Sequence, residues 1–209
     1  MAPVAPVQQK PSFDELEEAA HAVIAIFKSM PEFSDARLAI IGGLSLWKYL
    51  KNFRTTDDVD FLMTVENAPN SVKEKLLALP SSPFEEQAQF FMFKSPRGKR
   101  IQIDITPKMQ SPYVPTAAVP ISTLQLGQLP YISELDLLVF KIYSCGLRAT
   151  SQKKIRDAND AMSLLDVLAS KGPVVLNPDQ HAAVTQGLDD VVNISGMGHN
   201  WWKSRLGMK

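Results

Sequence analysis

Asp58 and Asp60 stand one residue apart in "DVDFLM", and Asp104 alternates with isoleucines in "KRIQIDIT". Residues i and i+2 of a strand share a face, so Asp58 and Asp60 point one way while Val59 and Phe61 point into a core. Like charges ~7 Å apart repel unless a cation or a proton sits between them, and a hard divalent ion with oxygen ligands meets that need. Mg²⁺ is the candidate, with Mn²⁺ able to replace it. On the later strand Ile101, Ile103 and Ile105 face one way, leaving Gln102, Asp104 and Thr106 on the other, so this strand, as a neighbour, can bring a third acid to the pair. Three carboxylates on one sheet face can hold two ions ~4 Å apart, which suits phosphoryl or nucleotidyl transfer. Asp-x-Asp alone is also common on exposed strands and turns. A calcium-binding EF-hand loop starting at Asp58 is excluded, because Leu62 and Met63 stand where it needs an oxygen ligand and a glycine.

Upstream, "RLAII" runs into Gly42-Gly43 and then "LSLWKYLKN". A strand that ends in glycines and feeds a helix exposes unpaired N–H groups where the helix dipole also favours negative charge, and phosphate is the natural guest. The same glycines could simply permit a tight turn. Ser45 either donates its hydroxyl to that phosphate or satisfies the helix start. Neither a Walker A loop nor G-x-G-x-x-G is present.

These residues need elements to position them. Ser12 and Glu15 make a capping box for a helix reaching about Met30, which Pro31 closes. A strand at 37–41, a helix after Gly43 and a strand at 58–63 follow. A helix over 71–79 opens with Ser71 and Glu74, and residues 89–106 form a hairpin around "SPRG". Pro107, Pro112, Pro115, Pro120 and Pro130 mark a linker or wandering connection. Beyond it come helices from Ser133 through Cys145, from Gln152 to Ser170, and after Asn177-Pro178. The expected architecture is α/β (α+β): a Pro-rich disordered arm at 1–11, a mixed sheet flanked by helices over 12–130, and a helical domain over 131–209. No internal repeat is visible.

Composition narrows the function. The 22 basic and 22 acidic residues cancel, so any site for a polyanion must be local. A single cysteine, Cys145, excludes an intrachain disulfide, and no apolar run spans a membrane. With no signal-like N-terminus, the expected location is cytoplasmic. His21, His181 and His199 are scattered without zinc-site spacing, and no G-x-S-x-G elbow occurs. Lys141 lies among Leu137, Leu138, Phe140 and Ile142, so its ammonium either snorkels to solvent or enters a cleft. Lys153, Lys154 and Arg156 cluster at a helix start, where the dipole disfavours cations and an anionic partner would ease them. Trp201 and Trp202 either anchor a terminal helix to the core, the commoner use, or stack on a base.

Strand, Gly-Gly, helix, then Asp-x-Asp with a third Asp on a later strand resembles the nucleotidyltransferase superfamily of the DNA polymerase beta type. "RTTDDVDF" is more narrowly similar to the R-x-[ST]-x-D-[IV]-D-[FL] form of abortive-infection toxin nucleotidyltransferases, through Arg54, Thr56, Asp58 and Asp60. "LLVFKIYSCGLRATSQKKIRDANDAMSLL" looks like the later part of that pattern, with Lys141 on one helix and Arg156, Asp157 and Asp160 on the next. The resemblance spans roughly residues 35–170. It implies an ATP-type nucleoside triphosphate as substrate, Asp58, Asp60 and Asp104 as metal ligands and catalytic acids, and Lys141 as a catalytic cation. It assigns nucleotide contacts to Gly42, Gly43, Ser45, Arg54, Thr56, Lys141, Arg156 and Asp157. The acceptor hydroxyl stays open among RNA, a small alcohol and a protein, as do the preferred base and the oligomeric state. The rival reading is a non-catalytic nucleotide- or partner-binding protein on the same fold, a regulator or antitoxin-like module.

Overall fold

The computed structural model describes residues 10–208, so most of the Pro-rich arm lies outside it. The described chain runs α1 (Phe13–Ser29), β1 (Arg37–Ile41), α2 (Gly42–Tyr49), β2 (Asp58–Met63), α3 (Asn70–Leu77), β3 (Phe84–Gln87), β4 (Phe90–Lys94), β5 (Arg100–Pro107) and β6 (Val119–Pro120), then α4 (Glu134–Cys145), α5 (Ser151–Lys171), α6 (Pro178–Ser195) and α7 (His199–Arg205). The strands form one six-stranded sheet in the order β3-β4-β5-β2-β1-β6. The sheet is mixed: β2 and β5 run parallel, and the other neighbours antiparallel. No described helix is long and apolar enough to cross a membrane.

Strand alternation divides the core between the two faces. Leu38, Ile40, Val59, Phe61, Met63, Ile101, Ile103 and Ile105 pack with α1 residues such as Leu16, Val23 and Phe27. Ala39, Ile41 and Leu62 point the opposite way and join Leu138, Ile142, Ala158, Leu165, Val184 and Trp202 of the C-terminal helices. On β2 and β5 that second face carries Asp58, Asp60, Gln102, Asp104 and Thr106. The apolar part of this face is therefore covered by helices, and the polar part faces a cleft.

Local signals explain most boundaries. Ser12 and Glu15 form the expected capping box of α1, and Asn177 and Gln180 form another at α6. Trp202 is fully buried, its indole N–H donating to Ser195 Oγ at 3.2 Å. Two expectations change. The helix placed at 71–79 is Asn70–Leu77 and has no side-chain cap; the Ser71 hydroxyl donates to the Glu66 carbonyl instead, at 3.1 Å. The Pro-rich segment after Pro107 is also more than a connection. Val119 and Pro120 pair with Leu38 and Arg37, and the Ile40 N–H donates to the Pro130 carbonyl at 2.8 Å. Proline is tolerated on an edge strand because only one side of that strand must supply ladder donors.

Candidate active site

Parallel register sets Asp60 beside Asp104 and Asp58 beside Gln102. One carboxylate oxygen from each of Asp58, Asp60 and Asp104 lies within 4.8 Å of the others. The third acid thus joins the pair across a strand boundary: the alternation in "KRIQIDIT" sets its face, and the β2–β5 pairing brings it alongside.

Each acid is held by one donor. The Thr56 hydroxyl donates to Asp58 Oδ1, the Gly43 N–H to Asp60 Oδ2 at 3.2 Å, and the Gln102 amide to Asp104 Oδ2 at 2.8 Å. Among the described residues the second oxygen of each carboxylate has no hydrogen-bond donor within the protein. Three half-buried carboxylates with one free oxygen apiece are a hard-oxygen donor set, the kind that suits Mg²⁺ or Mn²⁺.

The glycine pair is shaped by these acids. Gly42 has φ +68°, and a Cβ there would lie 1.9 Å from Asp60 Oδ2; a Cβ on Gly43 would lie 2.4 Å from Thr56 Oγ1. Neither position can carry a side chain while Asp60 and Thr56 stay where they are. The Gly43 N–H is spent on Asp60 and is not free for phosphate.

Burial, followed by the neighbouring Asp58 and Asp104 charges, pushes the Asp60 carboxyl up to about 7, with the Gly43 N–H and Lys141 partly opposing. Burial also raises Asp104, against the Gln102 hydrogen bond, which lowers it. A site whose acids resist ionising together is one that a cation would relieve.

The opposite wall is basic. Lys141, only 4% exposed, pairs with Asp157 at 2.7 Å and with Asp160 at 2.8 Å. Arg54 clasps Asp160 with two hydrogen bonds of 2.8 and 2.6 Å, and Arg148 Nε meets Asp157 at 2.5 Å. Burial pushes the Asp157 carboxyl upward, but Lys141 and Arg148 hold it below the ordinary range. This chain of three cations and two anions leaves one net positive charge. Lys153 and Arg156 add two more and, among the described residues, form no ion pair.

Sheet wall and helix wall enclose a cleft of about 570 Å³. It is lined by Gly42, Gly43, Arg54, Thr56, Asp58, Asp60, Asp104, Lys141, Arg156 and Asp157, all expected at the site from sequence. Ser45, expected at the nucleotide, is the exception. It is fully buried, and its hydroxyl donates to the Ile40 carbonyl at 2.9 Å, so it closes the strand-to-helix turn and does not reach the cleft. Arg54 and Asp157 are committed to ion pairs that shape the wall. Two further residues belong to the site: Gln102, which the sequence places on the acidic face without a role, and Arg148, which it does not single out. The signal for Gln102 was present, two residues before Asp104 on the same strand face; Arg148 sits in a loop whose course only the packing of α4 against α5 sets.

No family model matches the sequence, and no curated protein does. Among solved structures, an antigenic nucleotidyltransferase-like protein from Paracoccidioides brasiliensis is 20% identical with a TM-score of 0.57, the match covering 92% of this chain and 94% of that one. The solution structure of the antibiotic-resistance factor ANT(2'')-Ia is 12% identical with a TM-score of 0.42, over 86% of this chain and 95% of that one. The first likeness, together with the mixed sheet flanked by helices, shows that the chain has a nucleotidyltransferase-like fold.

Proposed function

We propose that the chain is a metal-dependent nucleotidyltransferase that moves a nucleoside monophosphate from a nucleoside triphosphate to an acceptor hydroxyl. One observation carries this reading: a single cleft has three converging carboxylates on one wall and Lys141, Arg148, Lys153 and Arg156 on the other. A divalent ion with a polyphosphate fits between such walls, because the ion satisfies the acids and the phosphate oxygens satisfy both ion and cations. The similarity of "RTTDDVDF" to abortive-infection nucleotidyltransferases supports the same reading. In this proposal residues 12–130 form the catalytic domain and 131–209 a helical domain that supplies the basic wall.

Asp58, Asp60 and Asp104 would hold Mg²⁺ or Mn²⁺, which when bound supplies Lewis-acid stabilisation of the phosphate oxygens. Asp104 takes the proton of the acceptor hydroxyl as that oxygen bonds to the α-phosphorus. The bond from the α-phosphorus to its bridging oxygen breaks, and pyrophosphate leaves with the electron pair. Lys141 and Arg148 face the charge that builds on the departing group. Thr56, the Gly43 N–H and Gln102 hold the acids in place throughout. The acceptor is RNA, a small alcohol or a protein hydroxyl.

The test is pyrophosphate release from each labelled nucleoside triphosphate in Mg²⁺, offered each acceptor class in turn. Turnover that Asp58→Asn abolishes, with the circular dichroism spectrum unchanged, is the expected result. Full activity in Asp58→Asn, or no turnover with any pairing, refutes the proposal and leaves the binding-module reading.

A further inference from the structure

We infer that Gln102 is a positioning residue for the metal site, holding Asp104 so that its free oxygen meets those of Asp58 and Asp60; the inference rests on the metal-dependent reading above. Gln102 lies on the same strand face as Asp104, and the sheet register places it between Asp58 on β2 and Met92 on β4. Met92 offers no strong acceptor, whereas the Asp104 carboxylate on the same strand face does. An ionised carboxylate only accepts, which requires the amide to present Nε2, as it does to Asp104 Oδ2 at 2.8 Å.

The arrangement completes a pattern. Asp58 is oriented by Thr56, from the turn leading into β2, and Asp60 by the Gly43 N–H, from the first turn of α2. Asp104 lies within β5, and among the described residues its side-chain hydrogen bond comes from the same strand face. Gln102 reaches it from i−2. Partners that orient metal-ligating carboxylates affect affinity strongly, and their loss typically weakens binding about 10- to 100-fold.

The experiment measures Mn²⁺ binding to the full chain without nucleotide, by calorimetry and by the Mn²⁺ paramagnetic resonance signal. The proteins compared are wild type, Gln102→Leu, Asp104→Asn and the double variant, with Gln102→Met as a second apolar replacement should Leu disturb the strand. Thermal melts in EDTA verify folding. The expected result is an increase of about tenfold or more in the Mn²⁺ dissociation constant for Gln102→Leu. In the Asp104→Asn background the same change should have almost no further effect, because a residue acting through Asp104 has nothing left to orient. Wild-type affinity in Gln102→Leu alongside weakened binding in Asp104→Asn overturns the positioning role and leaves the metal site standing. An equal loss in both backgrounds also overturns it, since Gln102 would then act through the fold. Absence of Mn²⁺ binding by the wild type removes the metal reading itself.

Discussion

Gly42→Ala gives the sharpest test of how the glycine pair and the acids depend on each other. At φ +68° an L-residue pays about 1–2 kcal/mol for the left-handed backbone. The new methyl would also lie 1.9 Å from Asp60 Oδ2 and 2.5 Å from its Cγ, so the carboxylate must swing away. At a pH above about 7, where Asp60 is ionised, swinging away breaks the 3.2 Å charge-assisted bond from the Gly43 N–H, for a further loss of about 1.5–3 kcal/mol. The sum is about 2.5–5 kcal/mol, which for a chain of this size lowers Tm by about 5–20 °C. Repeating the substitution in an Asp60→Ala background separates the two parts. With the carboxylate gone, only the backbone part and a contact of 2.9 Å to the Asp60 Cβ remain, and a small shift relieves the latter. The cost should fall to about 1–2 kcal/mol, a coupling that urea denaturation of the four proteins resolves. Equal costs in both backgrounds would show that Gly42 serves the turn alone and that Asp60 does not dictate the glycine.

Three further outcomes follow from the charge arrangement. The folded chain retains the Asp60 proton up to about 7, whereas an unfolded carboxyl loses it near 3.8, so the Asp60 contribution to metal-free stability should decline as pH rises across that window. Melts without metal should show a decline that saturating Mn²⁺ flattens and Asp60→Asn reduces, leaving the smaller part that Asp104 contributes; the same slope in Asp60→Asn would place its origin elsewhere. Asp157→Asn takes one anion from between Lys141 and Arg148, leaving a buried lysine half-paired, and should cost about 3–5 kcal/mol in urea denaturation. A loss below about 1 kcal/mol would mean that Asp160 alone holds the ammonium. The Cys145 thiol is fully buried and pushed up to about 11, by burial first and then by Asp157 and Asp190, so it should resist iodoacetamide in the native protein and react promptly in denaturant. Rapid native alkylation, followed by mass spectrometry, would contradict that burial.

Much of the site was legible in the chain because it rests on local periodicity. Strand alternation put Asp58 with Asp60 and separated Asp104 from its isoleucines, and the Ser12, Ser133 and Asn177 caps announced their helices, since each is a contact within a few residues. The glycine pair was legible as a turn, and its fit to Asp60 and Thr56 was not, because those neighbours come from another element.

Only the tertiary structure decided which residues share a wall. Parallel pairing of β2 with β5 brings Asp104 to Asp60, 44 residues apart in the chain, and nothing in either segment specifies that register by itself. Packing of α4 against α5 converts Lys141, which the sequence left between solvent and cleft, into the centre of a buried ion chain, and carries Arg148 to the same place. Ser45 went the other way: a hydroxyl at a helix start can face a ligand or its own backbone, and here the Ile40 carbonyl, buried beside it, takes the proton donor. Side-chain direction within an element follows from backbone geometry, whereas partners between elements depend on how hydrophobic faces stack, and that is a property of the whole chain.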